Sequence, residues 1–481
     1  MGGEAPSRPR RYGFGVAIVS AQAVPADPYV AHARAVAALK ASYDSVGSGV
    51  RLDKRTSNLF RFPSASGPAK RLDVSAFEHV LSVDPVTRTA DVQGMVTYER
   101  LVDATLAHGL MPYVVPQLKT ITLGGAVAGL GIESSSYRNG LPHESVRELE
   151  VLTGDGRVLV ATPDNEHAEL FRGFPNSYGT LGYTLRLRID LEPVQPYVRL
   201  RHLRFDDAED CFAVMGQVCA DSAYEGERVD FVDGTVFSSR EHYLTLATFV
   251  DSAPAVSDYT GMAIYYRSLQ QRSEDHLTVH DYLWRWDTDW FWCSRAFGVQ
   301  SPLVRRFWPS RYRRSDVYRR LVALDRRYSA SARVRGALGK PAEEYVVQDV
   351  EVPIEQSSKF LDFFHRDVGI QPVWLCPLRL RSDTPWPLYP LEPGRLYVNL
   401  GFWSSVLLRP GQADGFYNRL IEQTVNDLGG HKSLYSTVHY PEDEFWDRYN
   451  GEAYRALKRS YDRAGRLPDL YHKVCAPNGK E

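Results

Sequence analysis

Cysteine is scarce in this 481-residue chain, and the little there is forms no pattern. The five thiols (Cys211, Cys219, Cys293, Cys376 and Cys475) are odd in number, and none stands in a C-x-x-C spacing. That excludes a disulfide framework and a structural zinc site, leaves no metal site expected, and favours a reducing compartment. No stretch approaches eighteen apolar residues, so no membrane-spanning helix is expected. Net charge is nearly absent, −2 at neutral pH, which removes any bulk attraction for nucleic acid. The opening "RPRRYGFGVAIVSAQA" has the basic, apolar, small order of a signal peptide. Its apolar part lacks leucine and is broken by glycine, so no cleavage is expected. "MGGEAP" lacks the hydroxyl side chain at the sixth position that a myristoylation signal requires. The expected location is cytoplasmic, peripheral to a membrane if a surface segment provides the contact.

Aromatic residues, by contrast, are abundant: 9 Trp, 28 Tyr and 20 Phe. They suit the walls of a site for a large, flat or greasy ligand, although any single one is more simply a core residue. Hydrophobic residues make up 43% and charged residues 24%, the balance of a globular protein of two or three domains. Residues 1–34 read as a loose N-terminal arm. Over 35–196 strand and helix signals alternate. "SAFEHVLSVD", "RTADVQGM" and "MPYVVP" read as strands. "TYERLVDATLAHGL" reads as a helix with Thr97 as N-cap and Gly109 beyond its last turn. "ELEVLTGDGRVLVATP" reads as a hairpin about Gly154-Asp155-Gly156, and "NEHAELFRGF" as a short helix. "TLGYTLRLRIDLEPV" reads as a long strand. Over 197–475 the order strand, helix, strand, strand, helix from "VVQDVEVP" to "DGFYNRLIEQTVNDLGG" predicts an α+β unit on an antiparallel sheet. Residues 476–481 form a tail.

"GGAVAGLGIESSSYRNGLP", Gly124 to Pro142, is the densest cluster of small residues. Glycine admits positive φ and close approach to backbone, and successive N–H groups in such a loop suit an anion such as a diphosphate. The loop has no Lys-Ser/Thr after its glycines and no G-x-G-x-x-G, which argues against a P-loop and a Rossmann fingerprint. A glycine-rich packing bend explains the cluster equally well by itself. A second small-residue loop, "SYGTLGYTL", Ser177 to Leu185, stands just before the long strand. One unit thus offers two loops open to close approach.

This pairing resembles the FAD-binding domain of the vanillyl-alcohol-oxidase and p-cresol-methylhydroxylase type. "GIESSSYRNGL", "SYGTLGYTLRLRI", "VVQDVEVP", "PVWLCPL", "RLYVNLG" and the run from "SLYSTVHYPEDEFWDRYNGEAY" to "LPDLYHKV" then resemble, in this order, the Δ24-sterol reductase family. "VGSGVRLDKRTSNLFRF", Val46 to Phe62, sits where that family begins its FAD domain. The resemblance covers roughly residues 40–475. It implies an α+β fold: a two-part FAD-binding domain over 35–196 and an α+β substrate or cap domain with an antiparallel sheet over 197–475, within which 265–340 is aromatic and basic. It also implies noncovalent FAD, NADPH or NADH as electron donor, and an isolated C=C bond in a lipid as substrate. Such enzymes pass a hydride to one alkene carbon while an acid protonates the other.

Carried over by position, Gly124, Gly125, Gly129 and Gly131 shape the diphosphate loop, and Ile132, Glu133, Ser134, Ser135 and Ser136 line FAD. Gly140 and Leu141 close that loop, and Gly179, Thr180 and Gly182 form the second. Arg55, Ser57 and Asn58 are candidates near the start of the domain. Glu133 is expected to bond backbone, and His143 to lie at the surface. The catalytic acid is not legible. Tyr282 and Arg285, in "HDYLWRWDTDWFWCSRAFG", are the catalytic candidates on a segment expected to face substrate. Family members carry a histidine-rich stretch there, of the kind YYHRHTR. The departure puts a sterol substrate in doubt and makes a methylene-branched fatty acyl chain a rival. Trp284, Trp286, Trp290 and Trp292 form either an aromatic wall or a buried aromatic helix.

Arg305 to Arg335 holds eleven arginines and two acids. That run is either a solvated face or a peripheral membrane patch, and nucleic acid is disfavoured because no recognition module accompanies it. An alcohol or sugar oxidase on the same fold and a noncatalytic lipid-binding protein are the competing functions. Nothing in the sequence fixes an oligomeric state.

Overall fold

The computed structural model describes residues 27–47, 49–54, 60–61, 70–328, 339 and 341–475. Arg55, Ser57 and Asn58 lie outside the described residues, as do residues 1–26 and the tail 476–481. The expected arm gives way early to helix α1 (Pro28–Asp44). The Asp27 carboxylate accepts from the Tyr29 amide at 2.9 Å, and Pro28 occupies the first turn. An N-cap followed by proline is a start signal that the reading of a loose arm passed over.

The fold is α+β. The first sheet has six antiparallel strands: β1 (Val80–Asp84), β2 (Thr89–Gln93), β3 (Leu110–Pro112), β4 (Val146–Thr153), β5 (Val158–Ala161) and β6 (Gly182–Pro193). Their order is β1-β2-β6-β4-β5, with β3 paired to the far end of β6. Helix α2 (Tyr98–Leu106) follows β2, and its N-cap Thr97 accepts from the Arg100 amide as expected. Gly109 beyond it has φ +67°. Helix α3 (Leu123–Ala128) contains the first glycine pair. The β4–β5 hairpin turns at Gly154–Gly156, and α4 (Ala168–Gly173) leads towards β6.

Beyond Pro193 the chain enters a sheet of eight strands. In chain order these are β7 (Tyr197–Phe205), β8 (Phe231–Ser238), β9 (Glu241–Val250), β10 (Glu274–Thr278), β11 (Glu343–Pro353), β12 (Val373–Leu378), β13 (Tyr397–Leu407) and β14 (His431–Lys432). They pair antiparallel in the order β10-β7-β9-β8-β12-β13-β11-β14. Helices α5 (Ala208–Asp221), α6 (Ser357–Phe363) and α7 (Phe416–Asp427) cover one face. Val232, Leu244, Val346, Val350, Leu375 and Leu400 pack there against Phe212, Met215, Phe360 and Ile421. Because side chains alternate along a strand, the neighbouring residues point the other way, towards the first sheet. Phe231, Asp233, Asp349, Glu351, Trp374, Cys376, Asn399 and Trp403 therefore form the inner face.

Three last helices, α8 (Glu442–Arg448), α9 (Gly451–Tyr461) and α10 (Leu470–Val474), follow the second sheet in sequence but run back to the first. Leu457 packs on the bare Gly173 of α4, Lys458 Nζ donates to the Thr180 carbonyl at 3.1 Å, and the Arg463 amide donates to Asp155 at 2.8 Å. The structural unit built on the first sheet therefore includes the end of the chain.

The basic segment, as far as it is described, is solvated only in part: Arg306, Arg311 and Arg320 are exposed, but others are not. Arg305 is buried against Asp289, Arg313 is buried among backbone carbonyls, and Arg314 grips both Glu99 oxygens at 2.8 Å. The tryptophan segment is not a helix. After a short helix (Val279–Leu283) it runs through turns, with Trp290 and Phe291 at positive φ. Trp284, Trp286, Trp290 and Trp292 are all buried.

Candidate functional site

The two small-residue loops meet. Helix α3 starts at Thr122, whose hydroxyl accepts from the Gly125 amide at 3.2 Å, so the glycine pair expected in an open loop is helical. Gly124 is pressed on backbone: an added Cβ would lie 2.6 Å from the Gly94 carbonyl oxygen. The second loop bonds directly to the end of the first. The Tyr178 amide donates to the Ala128 carbonyl at 2.7 Å, and the Asn176 amide to the Gly129 carbonyl at 3.1 Å. Asn176, Tyr178 and Gly179 all have positive φ, which makes the sharp turn this contact requires.

Of the residues nominated from sequence, Gly125, Gly131, Ile132 and Gly179 keep open surface at this junction. Gly124, Gly129, Gly140, Leu141, Thr180 and Gly182 are closed in by protein and shape the loops from behind. The triple serine, expected to line the cofactor, is buried within the protein. Ser134, Ser135 and Ser136 have no exposed surface. Ser134 Oγ donates to Glu133, Ser135 Oγ donates to the Tyr113 carbonyl, and Ser136 Oγ accepts from the Glu133 amide. Saturated hydroxyls of this kind brace a loop. His143 is a correction: it is buried, its ring lies 4.3 Å from that of Trp386, and desolvation pushes its pKa down to about 3.

Three cations that pattern reading missed surround the loop junction. Lys54 Nζ donates to Thr122 Oγ1 at 3.4 Å beside Gly125, the Arg61 guanidinium lies 4.3 Å above the Tyr178 ring, and Lys473 Nζ donates to the Tyr178 carbonyl at 2.6 Å. Arg61 and Lys473 are partly buried, and Lys54 keeps more open surface. Burial pushes Lys54 down to about 8 and Arg61 to about 10. Burial, together with the charges of Arg61 and Lys54, pushes Lys473 down to about 7. No carboxylate offsets them among the described residues. A cation cluster without counter-charge beside a glycine-rich loop is what a diphosphate would complete, so these residues fit FAD.

The opposite wall is the inner face of the second sheet. Asp349 on β11 is partly buried. It sits against the bare Gly401, accepts from Asn399 Nδ2 at 3.3 Å, and burial raises its pKa to about 7. Glu351, two residues on, is fully buried, accepts from Ser433 Oγ at 2.9 Å, and burial raises it to about 8. Tyr435 adjoins them, its hydroxyl accepting from Trp403 Nε1 at 2.8 Å. Tyr435 also ties this wall to the cation side, because the Phe60 amide donates to its carbonyl at 2.9 Å and Phe60 stacks on Trp290. Phe291 closes the roof between Trp374 and Trp403, at 5.3 and 4.4 Å between rings. Polar atoms without a hydrogen-bond partner occur on both sides: Gln117 and Asn176 from the first unit, His202, Thr235 and Asn399 from the second.

Tyr282 and Arg285 sit where the two units join. Arg285 is buried and donates to Asp233 at 2.8 Å and Glu133 at 3.2 Å. Its guanidinium lies 4.0 Å over the Tyr282 ring, and the Tyr282 hydroxyl is 3.0 Å from Ser134 Oγ. Trp286 and Trp374 Nε1 also donate to Asp233. The Glu133 side chain thus bonds Arg285 and the Ser134 hydroxyl. Desolvation outweighs Arg285 and raises the Glu133 pKa, while the anionic neighbours raise Arg285 well above its usual value despite its burial.

If the cations hold a diphosphate, Lys473→Met should lower the FAD retained after purification by tenfold or more, read as flavin absorbance per protein. A lysine that is neutral before binding must gain a proton to face the anion. FAD binding should therefore take up protons and weaken as pH rises above about 7, measurable by calorimetry in two buffers.

Comparison with known proteins agrees with this geometry. Residues 58–162 match the FAD binding domain family. The chain is 26% identical over 414 residues to the Delta(24)-sterol reductase of Homo sapiens, covering 82% of this chain and 76% of the relative. It is 26% identical over 442 residues to that of Arabidopsis thaliana, covering 84% and 76%. A shorter segment of 125 residues is 33% identical to a decaprenylphosphoryl-beta-D-ribose oxidase of Mycolicibacterium smegmatis, covering 26% and 27%. Among the described residues no helix is long and apolar enough to cross a membrane, and no cluster of side chains could hold a metal ion.

Proposed function

Because the chain belongs to the FAD-binding oxidoreductases similar to the Delta(24)-sterol reductases, we propose that it reduces an isolated C=C bond of a lipid, with NADPH or NADH as electron source. The observation that carries this reading is Asp349: a partly buried, protonatable carboxyl on the inner face of the second sheet, near the residues that fit FAD. FAD, once bound and reduced, would supply a hydride. An unactivated alkene accepts hydride poorly unless a proton arrives on the second carbon, so a neutral acid in an apolar site is the group the reaction needs. Asp349 is the proton donor in this scheme, and Glu351 keeps a second proton beside it. Phe291, Trp374 and Trp403 exclude water and hold the alkene flat. Arg285 and Tyr282 act as positioning residues that fix the second sheet against the Glu133 loop.

A sterol side chain and a methylene-branched acyl chain are the two candidate alkenes. Lipid profiles with and without the protein should show one of them consumed, and unchanged profiles would count against both. The match to the ribose oxidase supports a second reading, oxidation of an alcohol on a lipid-linked sugar. The purified protein should be yellow and should bleach with NADPH or NADH in the absence of oxygen. Bleaching only by an alcohol would favour the oxidase.

A further inference from the structure

Large apolar side chains crowd one exposed corner. Met262, Leu303, Val304, Phe307 and Tyr312 are five of the fourteen large hydrophobic residues exposed among the described residues, and Leu303 and Phe307 are 69% and 76% exposed. They come from two segments, the loop about Met262 and the chain from a short helix (Pro302–Phe307) to Tyr312. Two buried arginines clamp these segments together. Arg305 donates to the carbonyls on either side of Met262, Gly261 at 2.9 Å and Ala263 at 3.0 Å, while holding Asp289 at 2.7 Å. Arg313 donates to the Thr260, Gly261 and Trp308 carbonyls at 2.9, 2.6 and 2.9 Å. The protruding residues are therefore a fixed platform, not a loose loop. Arg306 and Arg311 are exposed on the same platform, and residues 301–315 contain no acid.

We propose that this platform seats the protein on an anionic lipid bilayer, with Leu303 and Phe307 inserted among the acyl chains and Arg306 and Arg311 on the headgroups. The charge decides the occupant. Protruding aliphatic and aromatic side chains beside two exposed arginines that pair with no carboxylate among the described residues match a negatively charged interface with an apolar interior, with Asp258 in the Met262 loop as the nearby acid. The Asp289 clamp joins the platform to the Trp286–Trp292 segment of the site. A substrate lipid therefore meets the protein next to its aromatic roof. The choice of a lipid surface rests on the lipid-substrate reading; the exposure and charge of the platform do not.

Cosedimentation with two vesicle compositions tests the proposal: phosphatidylcholine alone, and phosphatidylcholine with 30% phosphatidylglycerol (~30% being enough to give a strongly negative surface). The protein should bind the anionic vesicles, and binding should weaken with added salt. Arg306→Glu/Arg311→Glu should lower partitioning at least about thirtyfold, and Leu303→Ser/Phe307→Ser at least about tenfold. Circular dichroism and flavin content should stay unchanged in both, since these side chains are exposed. No wild-type binding, or equal binding by the variants, would overturn the proposal. So would a wild-type dimer in sedimentation that Phe307→Ser dissociates, because the platform would then seat a second copy. Reduction of a detergent-solubilised alkene without vesicle binding would remove the platform alone. Vesicle binding without any alkene reduction would remove the enzymatic reading alone.

Discussion

Asp349→Asn is expected to slow alkene reduction by at least about 10³-fold while leaving flavin content and anaerobic bleaching by the nicotinamide unchanged. The asparagine matches the acid in size and can keep a bond to Asn399, so a folding defect is not the expected cause of the loss. Single-turnover mixing of the reduced protein with the lipid alkene separates the two half-reactions. If the oxidative half-reaction of the variant keeps its wild-type rate, another group donates the proton. The pH profile gives an independent check. Burial holds the Asp349 proton up to about pH 7, so reoxidation by the alkene should be flat below neutrality and fall about tenfold per pH unit above it. The carboxyl stretch of a protonated buried acid should vanish from the infrared difference spectrum of Asp349→Asn even without substrate. Stability carries the same sign. Asp349 and Glu351 keep their protons in the folded chain at pH values where the unfolded chain has lost them. Each therefore costs stability, to an extent that grows between about pH 4 and pH 8, and the double amide variant should flatten that slope.

Arg285→Met should destabilise the folded chain by about 3–5 kcal/mol in denaturant unfolding. The substitution removes the one cation bonded to both Glu133 and Asp233 and leaves two buried carboxylates facing each other. The loss should come mainly from those stranded charges. Adding Glu133→Gln and Asp233→Asn to Arg285→Met should therefore recover most of the stability, and a triple variant no more stable than the single one would show that packing is the cause instead. Arg285→Lys should fall between, since one ammonium cannot also cover the Tyr282 face as a flat guanidinium does.

What was legible in the sequence was local or repeated at short range. The Thr97 cap, the Gly154–Gly156 hairpin and the alternation along β6 and β11 each announce themselves within a dozen residues. So did the two small-residue loops, although the first glycine pair turned out to lie in a short helix. The site's charges were not legible, because they are assembled from far apart. Arg61 and Lys473 meet at Tyr178, near Lys54 on Thr122, only after the last helix returns to the first sheet. Asp349 left a faint signal: it and Glu351 stand two apart within "VVQDVEVP", where an inner face should be apolar. The bonding of the triple serine was not legible, because hydroxyls that touch a ligand and hydroxyls that brace a loop look alike in one dimension. His143 misled for a similar reason, since Trp386, which buries it, lies more than two hundred residues away.

The return of helices α8–α10 has a bearing on how such a chain can be divided. By strand order, a cut near Pro196 would release a self-contained cofactor module, ready for grafting onto another partner. The ammonium bonded to the Tyr178 carbonyl comes from residue 473, so that fragment would leave behind one of the cations at its loop junction and the Leu457 side chain that packs on Gly173. Recombination between relatives at this border would have to exchange both ends of the chain together. In chain order the second sheet is an insert within the unit built on the first, not an addition to it.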